Sequence, residues 1–164
     1  MKQTYRVLSG LIALGVVVQA AAIAFGWFDA INQVDDGLII DENYDGNAGH
    51  MLHGIVGMYV MPLLGLVLLI VSFFAARTVP GARKWAGIVF GLIVLQVALA
   101  FVSFGAPIVG ALHGINALAV LGTAGRAASL TRTGTTGRPV TTGPVDVPAQ
   151  AAGSAAPQQT SRPV

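Results

Sequence analysis

Residues 51–76 read MLHGIVGMYVMPLLGLVLLIVSFFAA, a run without a charged side chain in which His53 and Ser72 stand among apolar neighbours. A bilayer core of about 30 Å needs roughly 20 helical residues, so this stretch is long enough to cross a membrane. Three more runs resemble it. Residues 7–28 carry only Ser9 and Gln19 as polar groups, residues 85–106 carry Gln96 and Ser103, and the shorter 107–125 carries His113, Asn116 and Thr123. Backbone polar groups in lipid must be satisfied within the chain, which predicts helices. The alternating polarity of membrane strands is not seen.

Composition points the same way. The chain has 164 residues, 54% hydrophobic and 10% charged, where soluble domains carry roughly 25% charged residues. That balance excludes an ordinary soluble enzyme and leaves room for one domain. With no cysteine, disulfides, zinc–thiolate sites, thiol nucleophiles, iron–sulfur clusters and covalent haem attachment are excluded as well.

Charge sets the expected orientation. Lys2 and Arg6 precede the first run, Arg77, Arg83 and Lys84 lie between the second and third, and Arg126, Arg132, Arg138 and Arg162 follow the fourth. The segment after the first run instead holds Asp29, Asp35, Asp36, Asp41, Glu42 and Asp45. Basic segments stay cytoplasmic. The sequence therefore predicts a bacterial-type plasma-membrane protein with both termini inside and an acidic loop, residues 29–49, outside. The competing reading makes the first run a signal peptide cleaved near Ala22-Ile23-Ala24, but its apolar stretch is long for that role. Residues 127–164 are rich in Thr, Gly, Ala, Pro and Gln. They lack apolar periodicity and read as a disordered cytoplasmic tail, its arginines suited to anionic lipid and giving no sign of a nucleic-acid partner.

The runs repeat. Leu52-His53-Gly54-Ile55 recurs as Leu112-His113-Gly114-Ile115, and Gln19 in the first run is matched by Gln96 in the third. The expected fold is all-α: an integral-membrane four-helix bundle over residues 1–126, built from two repeated helical hairpins and followed by the tail. If Asn47 caps the second helix and Pro107 opens the fourth, His53 and His113 both lie about 9 Å along their helices. The two imidazoles are then at equal depth.

Ionisable residues within a membrane usually face the bundle interior. A neutral imidazole is a metal ligand, and two facing ones suit the axial positions of a haem b iron. Gly54, Gly57, Gly110 and Gly114 would leave clearance for a flat ring. The alternative is that these glycines mark close helix packing, as Gly110-x-x-x-Gly114 and Gly87-x-x-x-Gly91 would allow, with no cofactor. His50, one turn before His53, is a candidate propionate contact, an alternative ligand, or a headgroup-layer residue. Met58 and Met61 fit lipid-facing or core positions better than ligation. Pro62 should kink its helix and free the Met58 carbonyl, and Gln19 and Gln96 should hydrogen-bond across the bundle.

Over about residues 5–125, the order Gln-helix, His-helix, Gln-helix, His-helix resembles one four-helix half of a haem A synthase. More loosely it resembles small membrane cytochromes b and small bacterial four-helix membrane proteins with a histidine in each of the same two helices. The resemblance implies haem held between His53 and His113 near the outer face. Haem A synthase has an acidic residue three positions before its first histidine and an arginine directly after it. Here those places hold His50 and Gly54, so the resemblance implies a single-haem relative and not haem A synthesis.

Asp41-x-Asn43-x-Asp45-Gly46 in the acidic loop matches the first half of a calcium loop, but Leu52 stands where the closing glutamate belongs. The alternative there is an acidic turn that enforces topology and caps the second helix. Three function classes follow: a b-type haem protein that transfers electrons or handles haem, working with a redox partner; a cofactor-free subunit of a larger membrane complex; and a small ion-binding or transport protein. The last lacks a polar row through the inner half of the bundle. No nucleophile–base constellation or phosphate loop is present, so any catalysis would fall to a bound cofactor.

Overall fold

A computed structural model describes residues 1–132, and among these there is helix, turn and loop but no strand. The first helix, α1, spans Lys2–Asp35. It therefore runs past the apolar segment and takes in part of the expected outer loop. The extension is held by Gln33 Nε2, which donates to Asp29 Oδ2 at 2.7 Å, and it stops before Gly37, whose φ of 98° a side chain would disfavour.

Asn47 caps α2 (Ala48–Ile55), as its sequence position suggests, its side-chain oxygen accepting from the Gly49 and His50 N–H groups. The rod continues through a π-helical turn, Val56–Val60, into α3, Met61–Ala75. After the tight turn at Gly81, φ 81°, come α4 (Ala82–Gly105) and α5 (Val109–Ser129). Pro107 lies just before α5 rather than in it, its carbonyl accepting from Gly110 N–H at 2.9 Å.

The kink expected at Pro62 takes a specific form. Proline offers no N–H to the carbonyl four residues back. The helix responds immediately upstream, where Met61 N–H bonds the more distant Val56 carbonyl. One surplus residue is thereby absorbed in a π turn.

The four rods pack in a ring. α1 lies against α2–α3 and α5, and α4 lies against α3 and α5. The glutamine-bearing helices α1 and α4 thus share one diagonal, and the histidine-bearing α2–α3 and α5 share the other. Among the described residues, three rods are long and apolar enough to cross a membrane: α1, residues 48–75, and α4. The sequence predicted four. In α5 the apolar face is diluted by Gly110, His113, Gly114, Asn116, Gly122, Thr123, Gly125 and Arg126.

Burial recurs between the rods. In α1 the inward positions are Tyr5, Ser9, Ile12 and Val16; in α4 they are Ala82, Ala86, Val89 and Ile93, each at the same separation from its counterpart. The spacing is that of one helical face. On the other diagonal, Met61, Gly65, Leu68 and Ser72 match Val120, Ala124, Ala127 and Thr131. These pairs stand one residue closer in sequence than His53 and His113 do, and the π turn between His53 and Met61 accounts for the step. Local bonds match too: Ser72 Oγ donates to Leu69 O at 2.6 Å and Thr131 Oγ1 to Ala128 O at 2.8 Å. At the end of the bundle that holds the chain's N-terminus, buried Tyr5 donates to Ala82 O at 3.1 Å.

The outer surface is apolar, with Phe25, Phe73, Phe74, Phe101, Phe104 and Leu118 all well exposed. Such a girdle suits lipid. The bundle also extends beyond its predicted end: α5 runs to Ser129, and both Ala127 and Thr131 are buried. The boundary of the helical domain therefore moves from residue 126 to about 131, because Ala127 and Thr131 continue the inward face of α5. The rest of the predicted tail, residues 133–164, lies outside the described residues.

Candidate histidine-pair site

His53 projects from α2 and His113 from α5, on opposite corners of the ring. Their ring centroids are 6.3 Å apart, with the planes inclined at 56°. Each imidazole is fastened in the same manner. His53 Nδ1 lies 3.1 Å from the Gln19 carbonyl oxygen, and His113 Nδ1 lies 3.1 Å from that of Gln96. A carbonyl can only accept, so in both rings Nδ1 carries the proton and Nε2 keeps its lone pair. The glutamines reciprocate. Gln19 Nε2 donates to His53 O at 3.0 Å and Gln96 Nε2 to His113 O at 3.0 Å.

A helix carbonyl already serves its own ladder, but its second lone pair remains free for such a bond. The result is two half-buried imidazoles with fixed tautomer and restrained orientation, the state that a metal-ligating histidine requires. The donor set therefore fits an iron held by two neutral nitrogens.

The glycines divide by role. A Cβ on Gly54 or Gly114, the residues following the two histidines, would meet nothing within 4 Å. At Gly110 it would meet only Ser103, no closer than 3.8 Å. At Gly57 a Cβ would lie 2.6 Å from Gln19 Nε2, so glycine there lets the glutamine reach the His53 carbonyl. Gly87 and Gly91 also face open space; their spacing serves no helix contact among the described residues.

His50 is placed apart from the pair. It is half-buried against α1, its ring edge-on to Trp27 at 4.9 Å and to Tyr44 at 6.0 Å. Its Nδ1 lies 2.9 Å from Asn47 Oδ1, while Nε2 is buried without a partner among the described residues. Asn47 Nδ2 bonds both Gly26 O and Asp29 Oδ2 at 2.8 Å, so His50 belongs to the clasp joining α1 to α2. Close helix approach explains the location: a Cβ on Gly49 would lie 2.5 Å from Gly26 N. Met61 is a core residue and Met58 an exposed one.

In the acidic loop, the backbone N–H of Asn43 donates to Asp41 Oδ1 at 2.9 Å, closing an Asx turn. Among the described residues no three His, Asp or Glu side chains converge on a metal-sized space. Asp41, Asn43 and Asp45 remain solvent-exposed.

Sequence reasoning did not assign a role to Asn116. It is 7% exposed, and its Nδ2 donates to Gln96 Oε1 at 2.6 Å and Leu92 O at 2.9 Å. Its position three residues after His113, on the same helical face, was the available signal. No family model, curated protein or solved structure matches this chain.

Proposed function

We propose that this is a membrane haem protein in which His53 and His113 are the axial ligands of one non-covalent b-type haem. The observation that carries the reading is the twinned fastening of the two imidazoles, each with Nδ1 bound to a glutamine carbonyl and Nε2 left free. The two ring centroids lie 6.3 Å apart, and His53 and His113 would hold the group between them. Gly54 and Gly114, open beside the histidines, suit the flat ring.

Such a group supplies one-electron transfer when both axial positions are filled. The chain's own contribution is to hold two neutral nitrogens in position, through Gln19 and Gln96, inside an apolar bundle. The membrane arrangement belongs to the same proposal: α5 is a fourth span, the hairpins are repeats, both termini are cytoplasmic and the acidic loop is external.

Titration of hemin into detergent-solubilised apoprotein tests the reading. Saturation of a Soret band at one equivalent supports it, and absence of specific uptake refutes it. The exposed Gly87 and Gly91 on α4 favour a second reading, a cofactor-free subunit that packs against a larger membrane complex.

A further inference from the structure

The two histidine half-sites match in their first bonds and differ in everything behind them. Around His113 the support is complete. Gln96 gives Nε2 to the His113 carbonyl and receives Asn116 Nδ2 on Oε1, and Asn116 is itself tied to Leu92 O. His113 stands in uninterrupted α-helix. Around His53 the support is missing one member. The residue corresponding to Asn116 is Val56, and Gln19 Oε1 is buried with no partner among the described residues. Val56 also begins the π turn, three residues after the histidine.

These features have one mechanical consequence. A helix advances about 100° per residue. The surplus residue stored below His53 can be redistributed along the rod, turning the imidazole away from the bundle axis. No surplus residue lies beneath His113. Moving Gln19 breaks no bond at Oε1, which has none among the described residues, whereas moving Gln96 would cost its bond from Asn116.

Resting on the haem reading above, we propose that His53 is the exchangeable axial ligand and His113 the permanent one. A small neutral ligand of the carbon monoxide class would then bind on the His53 side. In the exchange, His53 Nε2 gives up its bond to iron with its lone pair, and the carbon of the incoming ligand forms the new bond. No electron or proton changes hands: Nδ1 keeps its proton and exchanges its bond to the Gln19 carbonyl as the imidazole turns away.

The test uses the full chain, loaded with hemin, reduced with dithionite and exposed to carbon monoxide. Wild-type protein should shift to the carbon monoxide spectrum. His53→Ala should keep its haem and bind carbon monoxide more tightly, while His113→Ala should lose most of its haem. Val56→Asn, which restores the missing partner of Gln19, should weaken carbon monoxide binding by about fivefold to tenfold, as one added hydrogen bond predicts. Asn116→Val offers an independent check from the other half-site, since it should lower haem retention.

Equal behaviour of the two alanine variants, with a normal Soret band in the wild type, would overturn the asymmetry and leave the haem reading standing. So would wild-type protein that holds haem but takes no carbon monoxide. Absence of any Soret band would overturn both.

Discussion

Gln19 and His53 hold each other twice: the glutamine amide donates to the histidine carbonyl at 3.0 Å, and the imidazole Nδ1–H donates to the glutamine carbonyl at 3.1 Å. Gln96 and His113 repeat the pair at the same distances. Within an apolar bundle such bonds set rotation and depth together, because neither helix can slide or turn without breaking both. Replacing the glutamines by leucine should therefore loosen the histidines. Gln96→Leu should destabilise the detergent-solubilised protein by about 1–3 kcal/mol, since it leaves buried Asn116 short of a partner. Gln19→Leu should cost less, because the orphaned Oε1 is removed with the amide. Thermal unfolding of the two variants side by side measures the difference.

The glycines make a sharper distinction. Gly57→Ala would place a Cβ 2.6 Å from Gln19 Nε2, so it should break the clamp and lower the unfolding temperature even without haem. Gly54→Ala meets open space and should leave the apoprotein unchanged. Under the haem reading, Gly54→Leu should cut hemin uptake while the apoprotein unfolds normally. Apoprotein melting curves and hemin titrations of the three variants together check this.

Much of this was legible in the sequence, and the reasons differ by feature. Helix was legible because charge-free runs of sufficient length have no other stable form in lipid. That Gln19 and Gln96 bond across the bundle was legible because both recur in a fixed order; that each takes a histidine as its partner was not. The cap at Asn47 follows from its side chain. The π turn was less accessible: Pro62 announces a disturbance but not whether the helix bends or stores a residue. Nor does composition mark the end of α5, since Ala127 and Thr131 are small residues that bury well yet resemble the tail that follows. His50 showed its proximity to His53 but not its turn toward Trp27 and Tyr44, which depends on how closely Gly49 meets Gly26.

The boundary of the bundle can be tested by truncation. A chain ending at Arg132 keeps Ala127 and Thr131 on the inward face of α5, and should insert and purify like the full chain. A chain ending at Gly125 loses both, together with Arg126, whose guanidinium lies 5.5 Å from the Trp85 ring centroid. It should accumulate poorly or unfold at lower temperature. Membrane yield and thermal stability measured in parallel decide the matter.

Orientation is open to chemical labelling because the chain contains no cysteine. Asp41→Cys, exposed in the acidic loop, should react with an impermeant maleimide in intact cells if that loop is external. Labelling only after lysis would reverse the topology.

Ligation of one haem by His53 and His113 is read out by the absorption spectrum of protein purified from haem-replete cells. The wild type should show a Soret band and, on reduction, the sharp α and β bands of a six-coordinate b-type haem. That spectrum should vanish in the His53→Ala/His113→Ala double variant and persist in His50→Ala. A folded wild-type protein without a Soret band, before or after added hemin, would contradict ligation by this pair.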